Sequence, residues 1–279
     1  MILRVSATTY ATGIYLRNNC YQAIGLPSGP TGPVFNGTSD LTQSDGSPAL
    51  FLFDTLDSQI LGWNKGAGTT AVNVARTPAA SYIGMAIGNA AGANYIYAAD
   101  NTGLIWVFDK NSNDVTFTTF AGKFVDPNAV PGLNPFSIQN INGNLYVTYA
   151  KVNTMGVEQP GGFGDEFDTG RNFIKRIATM GMLSAPWGIT LAPGRFGQFS
   201  NDLLIGQFGD GEVLAYDPTI DTLLGTLNGR NGTPIDNPFL CALNFRTARR
   251  TRIPLRFISL PVTTTRWMDC SAKLRLHPN

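Results

Sequence analysis

Histidine is almost missing from this chain. His277 is the only one, so a Ser-His-Asp or Cys-His centre has no base in the body of the protein. Cysteine is scarce as well: Cys20, Cys241 and Cys270 lie far apart, with no CxxC pair. That spacing excludes a zinc site and gives a disulfide framework no support. Charged residues make up 14% of the 279, below the ~25% usual for soluble domains. No apolar run reaches the ~18 residues that span a bilayer, so no membrane association is expected. The start, Met1-Ile2-Leu3-Arg4-Val5-Ser6, lacks a secretory h-region. No export signal is expected in this chain, although intact relatives are expected to be extracytoplasmic.

What is present is turn chemistry. The chain holds 31 Gly and 17 Pro beside 43% hydrophobic residues, too apolar for disorder and too interrupted for long helices. The net charge of +1 conceals an asymmetry. Residues 1–239 hold 12 Lys+Arg and 18 Asp+Glu, whereas residues 240–279 hold 8 Lys+Arg and one acid, Asp269.

The main signal is internal repetition. Tyr82–Ile87, Pro135–Asn140 and Pro186–Leu191 align as a first strand, with 51 residues from Pro135 to Pro186. A second strand follows at Tyr95–Asp100, Leu145–Tyr149 and Leu203–Gln207. A third closes on an aromatic and an acid or amide: Trp63-Asn64, Phe108-Asp109, Phe167-Asp168 and Tyr216-Asp217. A fourth strand is expected after each of these pairs, as in Phe173–Ile177 and Thr222–Leu227. Four short strands per unit, some 40–50 residues apart, define the blades of a β-propeller. The aromatics should fill the gaps between blades, and the acids should cap the next turn.

The opening Pro-x-Gly-Ile and closing Phe/Tyr-Asp resemble NHL-type propellers. Phe136–Ala150, Ser184–Pro193 with Arg195–Ser200, and Ser28–Gly37 look more specifically like an uncharacterised bacterial family of NHL-like propellers. The resemblance covers about residues 28 to 245. It implies the fold and carries no activity, substrate or catalytic residue.

The expected organisation is an all-β incomplete ring of about four recognisable blades over 28–245. Residues 1–27 are expected to be a poorly patterned remnant of a preceding blade. Residues 246–279 form a basic tail, expected to be out of frame and poorly ordered. Back-translation from Trp267-Met268-Asp269 permits Asp-Gly-Leu in another frame, and the same shift over Leu255–Val262 permits a strand-like string, so the tail's charge is not read as a nucleic-acid patch. Open ring edges would invite self-association.

The start of each first strand and the turn between second and third strands should share one face. That face would present Asp100, Asn101, Phe136, Tyr149, Trp187, Gln207 and Asp210, the candidate ligand-binding residues. The same Asp, Asn and Gly residues are also ordinary turn formers, and Trp187 an ordinary packing residue. No metal ligand set is assigned. Calcium enters only through Gly209-Asp210-Gly211, which recurs in calcium loops, and through the neighbouring Asp165, Glu166 and Asp168. The expected function is a non-catalytic binding or scaffold module for a protein, glycan or small molecule. The alternative is a metal-dependent hydrolase or lactonase of the propeller type.

Overall fold

A computed structural model describes residues 2–6, 11–16, 19–151, 159–229, 231–237, 240, 243–245 and 257–259. Every sheet is an antiparallel meander, each strand hydrogen-bonded to the next in sequence. Three strands come first: β1 (Ile2–Ser6), β2 (Ala11–Leu16) and β3 (Asn19–Gly25). Blade 1 is β4 (Pro30–Phe35), β5 (Phe51–Thr55), β6 (Gln59–Trp63) and β7 (Val72–Arg76). Blade 2 has three strands, β8 (Tyr82–Ala90), β9 (Ala93–Asp100) and β10 (Ile105–Phe108). Blade 3 is β11 (Asn134–Ile141), β12 (Asn144–Ala150), β13 (Phe163–Asp168) and β14 (Phe173–Thr179). Blade 4 is β15 (Pro186–Leu191), β16 (Leu203–Gln207), β17 (Val213–Tyr216) and β18 (Leu223–Thr226). Two short strands follow, β19 (Leu243–Phe245) and β20 (Phe257–Ser259).

The first strands of successive blades lie side by side, β4 against β8, β8 against β11, β11 against β15 and β15 against β19. They are therefore the innermost strands. Each carries the same irregularity, a register shift just after its first paired residue: Pro30/Gly32, Tyr82/Gly84, Pro135/Ser137 and Pro186/Ile189. The shift leaves one residue out of the ladder in blades 1 to 3, Thr31, Ile83 and Phe136, and two in blade 4, Trp187 and Gly188, and bends the strand there. The Pro-x-Gly opening read from the sequence is this bulge. Its third position must be small: a Cβ on Gly84 would stand 3.0 Å from the Ser137 Cα of the next blade.

The closing pairs behave as expected. Trp63, Phe108, Phe167 and Tyr216 are all buried. Asn64 Oδ1 accepts the Gly66 and Ala67 N–H, Asp109 Oδ1 those of Asn111 and Asn113. Asp168 Oδ1 accepts the Asn172 N–H and Asp217 Oδ1 that of Thr219. Each side chain closes the turn that reverses the chain.

Two expectations need adjustment. Within residues 1–27, expected to be a poorly patterned remnant of a preceding blade, Ile2–Ser6, Ala11–Leu16 and Asn19–Gly25 form a three-stranded meander joined to blade 1 at Gly25, which bonds Thr69 and Ala71. β-Branched and aromatic residues suffice for strands there, although the segment has neither the Pro-x-Gly opening nor the closing aromatic and acid. More important, no fourth strand follows Asp109. The chain makes one bridge, Phe108 to Asp114, and then coils, with Val115 C=O accepting the Thr118 and Phe120 N–H. Burial of Phe120 overrides the β-propensity of Val115–Phe120. The expected change of frame lies outside the described residues, save the backbone of β20, which pairs with β19.

Candidate functional site

The missing strand leaves a cavity of about 250 Å³ between blades 2 and 3. Leu104, Ile105 and Val107 form one wall, Thr116, Phe117, Phe120 and Phe124 another, and Pro135 and Tyr149 the blade 3 side. Its rim is apolar and exposed, with Leu104 40% and Phe117 63% accessible.

The segment that makes the second wall is strapped to blade 3. Arg176 on β14 donates through Nε to Asp165 Oδ1 at 2.5 Å and through Nη2 to Asp126 and to the Asn128 carbonyl. The same guanidinium lies 3.9 Å from the centroid of the Phe163 ring, which stacks on Tyr149 at 4.1 Å. Arg171 forms a second anchor: its guanidinium covers Phe120, and its carbonyl accepts the Phe124 N–H. Lys123 Nζ donates to Asn172 Oδ1 at 3.2 Å. A wall fixed at three points is preformed, so little ordering accompanies ligand entry.

Burial governs the electrostatics beneath the cavity. It pushes the Asp165 carboxyl up to about 7 against the pull of Arg176. It draws the Arg171 guanidinium down to about 10. The Tyr149 phenol is pushed well above its ordinary value, first by burial and then by Asp165 and Asp126.

The expected site residues separate into three groups. At the blade 2–3 corner, Asp100 is buried, and its carboxylate accepts from Ser81 N, Thr102 N, Thr102 Oγ1 and Trp106 Nε1. Its Asn101 neighbour offers its carbonyl to Asn134 Nδ2 at 2.6 Å. Tyr149, nearby, is the member of the set that lines the cavity. Phe136 and Trp187 lie instead at the inner bulges, 2% exposed, with ring centroids 5.1 Å apart and Phe208 against both. They fill the core rather than face solvent. Gln207 and Asp210 form the third group, in blade 4. Gln207 Oε1 accepts the Ser184 N–H at 2.5 Å, and its Nε2 reaches both Asp210 oxygens at 3.1 Å.

Bonds from Asn101 N to Ser81 O and from Gly209 N to Ser184 O show that strand starts and second-turn loops do share one face. Among the described residues, no three His, Cys, Asp or Glu side chains gather as metal ligands. Asp165, Glu166 and Asp168 are each engaged by a different partner: Asp165 meets Arg176, Glu166 on the opposite face meets Asn144, and Asp168, at the strand end, caps its turn.

Sequence reasoning missed Leu104, Phe117, Phe120 and Phe124. One signal was available. Asn64 to Tyr82 and Asp168 to Pro186 are each 18 residues, whereas Asp109 to Pro135 is 26.

Fold and site together define a β-propeller with a side-chain-sized cavity on its loop face. No family model matches the sequence. It is 29% identical over 218 residues to an uncharacterised protein of Acanthamoeba polyphaga mimivirus, covering 75% of this chain and 54% of that one. A second protein of that virus is 31% identical over 155 residues, or 53% of this chain and 38% of the other. The chain therefore spans about half the length of these curated relatives, or less. The relatives are viral, which corrects the expected bacterial NHL-like family. The opening and closing signatures arise from bulges and turn caps, so they report blade geometry rather than lineage.

Among solved structures, the crystal structure of the nidogen/laminin complex matches with a TM-score of 0.54 at 15% identity, covering 92% of this chain and 84% of that one. The dihydro-heme d1 dehydrogenase NirN in complex with DHE gives 0.53 at 11%, over 93% and 48%. BBS1N in complex with ARL6DN gives 0.50 at 14%, over 90% and 67%. These likenesses show the fold. No helix among the described residues is long and apolar enough to cross a membrane.

Proposed function

We propose that the protein is a non-catalytic binding module that receives a protein partner on its loop face. The cavity of about 250 Å³ carries this reading. It falls below the ~300 Å³ at which small-molecule sites begin, and it suits one inserted side chain. Its exposed Leu104 and Phe117 would be desolvated by a partner's main chain around that anchor. Two of the solved propellers above were crystallised with protein partners, laminin and ARL6DN, which supports a protein ligand over a glycan.

Titration of the full chain with indole and with toluene, followed by NMR, tests the reading. Both probes should shift the Tyr149 and Phe120 ring signals saturably, and Leu104→Arg should abolish the effect. Absence of binding by either probe would overturn it. So would calcium-dependent turnover of a lactone panel, the outcome that the hydrolase alternative requires.

A further inference from the structure

The cavity occupies the place of a strand. In blades 1, 3 and 4 the third strand pairs with a fourth: Ile60 with Ala75, Gly164 with Ala178 and Leu214 with Thr226. In blade 2 that edge is only partly used. Leu104 C=O accepts the Asp100 N–H at 2.9 Å, so Leu104 and Trp106 direct their main-chain groups at β9. Alternation along an antiparallel strand turns Ile105 and Val107 outward. Val107 is satisfied: its carbonyl accepts the Val115 N–H, and its N–H finds the Thr116 hydroxyl at 2.9 Å in place of a strand carbonyl. Ile105 has no outward hydrogen bond among the described residues, and it lines the cavity.

Resting on the binding reading above, we propose that the partner contributes an extended peptide that completes blade 2 as its fourth strand. The peptide pairs with the outward N–H and C=O of Ile105 and lowers one apolar side chain between Phe117, Phe120 and Tyr149. Strand addition of this kind draws affinity from main-chain bonds and specificity from a pocket for alternate side chains. An unpaired strand edge is the surface such a peptide needs. The occupant should also carry an acidic residue beside its apolar anchor, because among the described residues Lys123 is the one charged residue lining the cavity. The segment meets β10 through Val115 and Thr116 at Val107 and blade 3 through Asp126, Asn128 and Lys123, and it makes no bond to Ile105, whose outward main chain stays unpaired among the described residues.

A displayed library of linear peptides of about ten residues, selected against the full chain, tests this. Selected peptides should carry an aromatic or aliphatic anchor. N-methylation at the one peptide position that faces the Ile105 carbonyl should weaken them by about tenfold or more, because that methyl removes the hydrogen bond to the open edge. Binding should also slow amide exchange at Ile105. The methyl scan alters only the peptide, so it stays decisive even where Ile105→Pro fails to fold. Peptides that tolerate methylation throughout, or that leave Ile105 exchange unchanged, would overturn strand addition while leaving the binding module standing. Failure to select any peptide would also overturn it, whereas the binding module itself falls with the indole and toluene titrations or with calcium-dependent lactone turnover.

Discussion

Blades 2 and 3 begin alike and finish differently. Both open with an inner bulge, and both close their third strand on a buried Phe followed by a capping Asp. Blade 3 then turns at once into β14 and seals its outer edge. Blade 2 spends eight more residues, abandons the edge after one bridge and straps itself to its neighbour. An outer strand contributes little to the packed centre of a propeller, so a ring can exchange one for a cavity without losing its core. The inner strands show no such freedom.

Five substitutions would break or sharpen this contrast. Trp187→Ala removes an aromatic that is 2% exposed at the inner bulges and should cost about 3–5 kcal/mol in urea unfolding. A loss under about 1 kcal/mol would mean that the inner strands tolerate what the outer edge tolerates. Arg176→Met should cost about 3 kcal/mol, because it leaves Asp165, fully buried, without its partner. Lys175→Met, next door but bonded to the part-exposed Asp221 at 2.7 Å, should cost under about 1 kcal/mol.

Asp54 supplies the fourth, within blade 1. It pairs across from Gly32 at the position that Ala99 holds in blade 2 and Thr148 in blade 3. Its carboxylate is fully buried, neither oxygen has a hydrogen-bond partner, and burial raises it to about 7. A carboxyl that is more basic folded than unfolded favours the folded state below pH ~4 and loses that contribution as pH rises through ~7. Asp54→Asn should therefore raise the melting temperature at pH 8, by about 1–3 kcal/mol in stability, and have little effect near pH 4. Equal effects at both pH values would contradict the assignment. Smallest of all, Phe117→Ser should leave stability within about 0.5 kcal/mol, as at ordinary surface sites, while indole binding is lost.

The architecture was legible because its signatures have local causes. Pro-x-Gly marks a bulge, and an aromatic followed by an acid marks a filled gap and a capped turn. Each repeats with the blade. The site was less legible for two reasons. Asp100 and Asp210 look like ligand contacts, but their oxygens are consumed by the turns they build. Phe136 and Trp187 start strands on the right face and then point into the core. The cavity itself depends on Val115–Phe120, whose alternation of β-branched and aromatic residues reads as the missing fourth strand. Asp114 Oδ1 captures the Thr116 N–H at 2.9 Å, and burial of Phe120 beneath Arg171 completes the departure. Only the 26-residue interval betrayed it.

Amide exchange along β10 in the free protein is the most direct test of an open edge in blade 2. Val107, bonded to the Thr116 hydroxyl, should exchange slowly, as should Leu227, whose N–H bonds Val213 across the completed edge of blade 4. Ile105, one position outward along the same strand edge, should exchange at least about a hundredfold faster than Val107, since it lacks the hydrogen bond that local opening must break. Protection of Ile105 equal to that of Val107 would mean that the edge is already paired, and would contradict the account.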